Sequence, residues 1–120
     1  MSRELKFRCW NNASREYIPE DELMENFAEY LHEEHLYIEQ YTGLKDKNGI
    51  EICEGDIAIN LLNFRRGRIV WVEKEAGFGL YEYHKRNDGG FGLGCSPLPK
   101  YGLEVIGNVH DKPELLEGEK

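Results

Sequence analysis

Residues 40–62, QYTGLKDKNGIEICEGDIAINLL, set three glycines among two charge-rich corners and then run into apolar alternation. No other stretch constrains the fold as tightly. Asn48-Gly49 closes the first corner; both residues tolerate positive φ, and the pair is the strongest short hairpin signal. Glu54-Gly55-Asp56 makes the second. Ile57, Ile59 and Leu61 then alternate with Asp56, Ala58 and Asn60, the period of two of a half-buried strand. Glycines placed this way shape backbone between short strands.

The same period recurs along the chain. Leu5, Phe7 and Cys9 alternate with Lys6, Arg8 and Trp10, and residues 11–14 break the pattern. Residues 36–41, 66–73, 78–84 and 103–110 read as further strands, and residues 50–52 as a short return segment. Residues 87–100 hold four glycines and two prolines and read as a loop. One segment breaks the rhythm. Residues 19–34, PEDELMENFAEYLHEE, repeat Leu23, Phe27 and Leu31 every four positions, with Met24, Ala28 and Tyr30 alongside. That is a helical period. Pro19 suits a first helical position, and Glu20, Asp21 and Glu22 complement the positive end of the helix dipole.

Six or seven short strands and one helix in 120 residues predict a single mainly β (α+β) domain over residues 1–120. The expected architecture is a small, strongly bent sheet or SH3-like barrel with one amphipathic helix packed against it. The SH3 likeness rests on the polar Gly-Asp corner and is an analogy of fold.

Charge narrows the function classes. The net charge is −8, yet residues 16–39 carry nine acids and no Lys or Arg, while the rest is close to balance. Uniform attraction to nucleic acid or to an anionic membrane is not expected of such a chain. No apolar run approaches the roughly 20 residues of a membrane span. The first ten residues lack the apolar core of a secretory signal, so the expected compartment is the cytoplasm. Cys9, Cys53 and Cys95 stand more than forty residues apart, without C-x-x-C pairing, and read as small buried apolar residues.

Several clusters bear on possible chemistry. His32 and His35 are three apart, where a zincin helix needs four, and no third ligand is identifiable; a solvated helix end is the simpler reading, and no metal or other cofactor is expected. The glycines of residues 89–94 are followed by Ser96-Pro97, which cannot open the helix of a phosphate loop. Ser14 and Ser96 carry no nucleophile signature, so no catalytic residue is assigned and the chain is expected not to be an enzyme. Arg65, Arg66 and Arg68, with Lys74 and nearby Phe64 and Trp71, form the basic cluster that could contact nucleic acid or a second subunit. Glu22, Glu25, Glu29 and Glu33 mark the acidic contact face, either a solvated surface or a dock for a basic partner such as those arginines on a neighbouring copy.

Three blocks, LKFRCW near the N-terminus, QYTGLKDKNGIEICEGDI at 40–57 and YGLEVIGNVHDKPELL at 101–116, together resemble the YopX family, uncharacterised proteins of bacteriophages and prophages. The blocks cover roughly a third of the chain and keep their order. Cys9 stands where a small residue such as Ala is expected, and Cys53 where an aromatic such as Tyr is usual. The resemblance implies a phage-encoded protein working in the host cytoplasm and self-associating, with no activity or catalytic residue to carry over. Contacts with copies of itself are therefore the leading expectation. A nucleic-acid module, or an acidic DNA-mimicking inhibitor of a host protein, are the alternatives.

Overall fold

The computed structural model describes residues 5–85, 91–98 and 102–116. It is mainly β, with one α-helix and antiparallel strand pairs. Backbone contacts divide it into two units, residues 1–41 and 42–120.

The first unit is built on β1 (Phe7–Asn11), β2 (Glu16–Tyr17), α1 (Glu20–Tyr30) and the start of β3 (Leu36–Lys45). β1 lies between β2 and β3, pairing Phe7 with Gln40, Arg8 with Glu39 and Asn11 with Leu36. The turn into β2 is made by Asn11, whose Oδ1 accepts the amides of Ala13 and Ser14. Arg15 takes the left-handed conformation there. Cys9, Trp10 and Leu23 are fully buried. The expected alternation of β1 thus fails at its end: Cys9 and Trp10 are consecutive, point to opposite faces, and both are covered. Tyr17 packs edge-on against Trp10 at 5.0 Å, which accounts for the second buried face.

α1 ends four residues earlier than its apolar spacing predicts. It has no base in its last turn, and Glu33 and Glu34 follow at the negative end of the dipole, where carboxylates are unfavourable. Asn26 leaves helical geometry, its side chain donating to the carbonyl of Glu22 at 2.9 Å. The helix meets β1 through Phe27, whose ring lies 5.2 Å from that of Phe7. Leu23 and Phe27 face inward as expected, but Met24 and Leu31 are exposed.

The second unit begins with the last four residues of β3, against β4 (Glu51–Cys53). A curled five-stranded sheet follows: β5 (Asp56–Asn60), β6 (Arg65–Val72), β7 (Gly77–Lys85), β8 (Phe91–Pro97) and β9 (Leu103–Asn108), in the order β8-β7-β6-β5-β9. β8 occupies half of the stretch expected to be a loop. Glycine carries no apolar pattern, but its backbone pairs as any other does, and Phe91 to Pro97 match β7 residue for residue. The remaining glycines of that stretch, Gly89 and Gly90, lie outside the described residues.

The core of this unit is Ile52, Ala58, Ile69, Leu80 and Leu103, with Leu44, Leu98 and Val105 packed against it. Gly67 is required there: a Cβ would stand 2.6 Å from the Tyr81 carbonyl and 3.0 Å from the Leu80 side chain. Both glycine corners hold as expected, with Gly49 at φ +81° and Gly55 at φ +86°. Each is locked by a buried aspartate. Asp56 Oδ2 accepts the Cys53 amide at 2.8 Å. Asp46 Oδ1 accepts the amides of Asn48 and Ile50, and its Oδ2 accepts the amide of Val105 on β9.

Burial alone would raise the Asp46 carboxyl, but the amides of Val105, Ile50 and Asn48, with Lys47 beside it, hold it below the ordinary aspartate range. A carboxyl depressed in the folded state contributes stability above the unfolded value of about 4, lost as pH falls through the folded value. Urea midpoints followed by tryptophan fluorescence from pH 6 to pH 2 therefore drop more steeply for the native protein than for Asp46→Asn, which is less stable at pH 6.

Candidate functional site

The four predicted cations do not form one patch. β6 carries Arg66 and Arg68 on one side and Arg65 on the other, because strand neighbours alternate. Arg66 Nη1 donates to the carbonyl of Leu115, in the 3-10 turn Pro113–Leu116, at 3.3 Å. Arg68 lies over the ring of Tyr81 at 5.5 Å. Arg65 is exposed at the start of β6. Lys74 sits in the 3-10 turn Glu73–Glu75 between two carboxylates, beyond the other end of an eight-residue strand, roughly 25 Å away.

The acidic residues divide as well. Glu22 accepts the Tyr30 hydroxyl at 2.7 Å, and that bond raises the Tyr30 pKa above its ordinary value. Glu25 and Glu29 are exposed on α1. Glu33 lies past the helix end, 3.8 Å from His35. His32 and His35 therefore share no helical face, and no group of three or more metal-ligating side chains gathers among the described residues.

Cys9 and Cys53 are buried free thiols, as expected; the side chains of Cys95 and Ser96 lie outside the described ones. Burial, reinforced by the carboxylates of Glu39 and Glu22, pushes the Cys9 thiol up and keeps it protonated.

Three features were not legible in the residues. The first is a hairpin tip of unusual exposure between β5 and β6. Asn60 Oδ1 accepts the Leu62 amide and Asn63 Oδ1 accepts the Arg65 amide, both at 2.9 Å. The Phe64 amide donates to the Asn60 carbonyl at 2.6 Å, and the Leu61 amide to the Gly102 carbonyl at 2.8 Å. This framework leaves Leu62 84% and Phe64 67% exposed, with Phe64 in the left-handed region at φ +58°. A bulky residue pays about 1–2 kcal/mol there. The two asparagines bracketing Leu61-Leu62 were the available signal, since Asn side chains build such turns.

The second is a charged cluster in the first unit. Arg8 Nε donates to Glu39 Oε1 at 2.8 Å, Tyr17 donates to the same oxygen at 3.2 Å, and the guanidinium lies 4.8 Å from the Tyr17 ring. Arg8 and Tyr17 also border a cleft of about 320 Å³ floored by Leu23 and Ile18. Arg8 and Glu39 face each other across the β1–β3 register, which no local spacing announces.

The third is Glu82 on β7, 8% exposed, whose Oε2 has no hydrogen-bond partner among the described residues. Its register neighbours are Gly67 and Gly94, which offer no side chain to answer it.

The model of the YopX family, described as YopX protein, matches residues 6–117. The chain belongs to the YopX family. The match includes α1 and the glycine-rich stretch, which the three sequence blocks leave out. The crystal structure of protein EF1440 from Enterococcus faecalis is similar over 96% of this chain and 99% of that one, at 25% identity and a TM-score of 0.51. No curated protein matches the chain. No helix among the described residues is long and apolar enough to cross a membrane.

Glu39 and Glu82 are each 8% exposed, yet the same substitution is expected to act on them in opposite directions. Glu39→Gln removes the charge that Arg8 and Tyr17 share and lowers stability by about 1–3 kcal/mol. Glu82→Gln removes a buried carboxylate with an oxygen unanswered among the described residues and leaves stability equal or raised by about 1 kcal/mol. Urea midpoints at pH 7 check both signs.

Proposed function

We propose that this YopX-family chain is a phage- or prophage-encoded, non-enzymatic protein that acts through protein–protein contacts as a homo-oligomer in the cytoplasm of its bacterial host. The origin and the compartment are what the YopX resemblance implies, and the family match over residues 6–117 supports that resemblance. The observation that carries the mode of action is the placement of large exposed apolar side chains in two settings of opposite charge. Met24 on the acidic helix and Leu31 at its C-cap stand 66% and 57% exposed, and Leu62 and Phe64 stand beside Arg65. Scattered exposed hydrophobes are ordinary. Pairs held on ordered elements, with an aromatic and an arginine among them, match the anchors that dominate protein interfaces.

The nucleic-acid reading has less support. Arg66 is engaged by a main-chain carbonyl, Lys74 is flanked by acids, and the net charge is −8. A DNA-mimicking inhibitor would use the same α1 carboxylates but would leave the hairpin tip unexplained.

Sedimentation equilibrium from 10 to 100 µM is expected to give a mass that is a multiple of 14.0 kDa. Association should weaken about tenfold between 0.1 M and 1 M salt, as the screening length falls from about 10 Å to about 3 Å. A 14.0-kDa species throughout that range overturns self-association. Saturable, salt-sensitive binding of a labelled oligonucleotide by the monomer would favour the nucleic-acid reading instead.

A further inference from the structure

We propose that the self-association inferred above is made by the β5–β6 tip of one copy, through Leu62, Phe64 and Arg65, seating on the exposed stripe of α1 of a second copy. The receiving residues are Met24 and Ala28 on α1 and Leu31 at its C-cap, all exposed, with the Asn26 kink between the first two. Glu20, Asp21 and Glu25 border them, each three or four positions from Met24 or Ala28, or next to Met24. No Lys or Arg occurs between residues 16 and 39. The face therefore asks for an apolar probe carrying positive charge.

The tip is such a probe. Leu62 and Phe64 protrude, and Arg65 follows directly, exposed. Its shape is not a by-product of a slack loop. Two asparagine side chains and two main-chain hydrogen bonds hold it. Phe64 occupies a left-handed position that Asn or Gly would take more readily, so folding gains nothing from the ring at that site. A preorganised loop loses little entropy on binding. A strained, exposed aromatic on a braced turn is the kind of local inconsistency that marks a working surface.

The two patches differ and every copy carries both, so the contact is heterologous: it closes when exchanged reciprocally and otherwise propagates. Charge pairing with the stripe is what selects a second copy as the occupant.

Sedimentation of variants tests this, with urea midpoints recorded in parallel. Phe64→Asn should weaken association at least tenfold while its midpoint stays equal or rises, a combination that a structural role for the ring would reverse. Arg65→Glu should weaken association similarly, as should Glu25→Lys, and the Arg65→Glu/Glu25→Lys double variant should regain most of what either single change loses. Phe64→Asn and Arg65→Glu that associate within twofold of the native protein would overturn this contact and leave self-association standing through another surface. Failure of the double variant to recover would overturn α1 as the receiving face. A native protein that is monomeric throughout would instead remove the reading on which the contact rests.

Discussion

The Asp46 carboxylate holds the corner from which the second unit is built. It sits at the start of the Asn48-Gly49 turn and spends one oxygen on the turn's own amides. Its other oxygen reaches the Val105 amide, 59 residues later. A hydrogen bond to a charged acceptor stabilises by about 1.5–3 kcal/mol, and three converge on this side chain. The arrangement converts a local turn into a long-range constraint. Once β9 is tied to that corner, Leu103 and Val105 are set against Ala58 and the sheet has its hydrophobic contents. Asp56 repeats the device at the next corner, over a shorter span. The glycines supply conformations that other residues resist, and the aspartates choose among the conformations so allowed.

The first unit solves a different problem. It has few residues, nine acids between 16 and 39, and a short helix with a kink. Its organising contact is electrostatic and lies across a strand pair, where Arg8 meets Glu39 and Tyr17 shares the carboxylate. A half-buried pair of this kind contributes less to net stability than its geometry implies, because both ions give up water. Its value is in register. Sliding β1 by one residue against β3 would move Arg8 away from Glu39 and turn Cys9 toward the wrong face. Around it, Trp10 and Tyr17 on one side and Phe7 and Phe27 on the other supply the apolar area that a unit this small otherwise lacks.

Legibility followed the range of the interaction. Gly49 and Gly55 were readable because a tight turn is decided within four residues. The strands over 57–61, 66–73, 78–84 and 103–110 were readable because burial on one face prints a period of two. β8 was not, since a strand of Phe91, Gly92, Leu93, Gly94 carries too few side chains to print any period, and its pairing is a property of β7. The helix lies where its spacing predicts but ends sooner: Leu31 continues the apolar spacing, while the dipole at that end disfavours the carboxylates that follow. Arg65, Arg66, Arg68 and Lys74 look like one cluster in sequence because they fall within ten residues, yet strand alternation and strand length pull them apart. Arg8 with Glu39, and Glu82 beside two glycines, depend on register and had no local signature.

Phe64 separates the needs of the fold from those of function. Among the described residues of the second unit, the other positive φ angles fall on Gly43, Gly49, Gly55 and Gly102 and on the small Ala76, which closes a 3-10 turn. At the β5–β6 tip the same conformation falls on an exposed phenylalanine. Folding alone would favour Asn or Gly at that position, by conformational strain and by solvation together. A residue disfavoured on both counts fits the proposed contact, in which something outside the folded monomer uses it. The most economical user is a surface that supplies what water does not, an apolar contact for the ring and a negative rim for the arginine beside it. The exposed face of α1 has both.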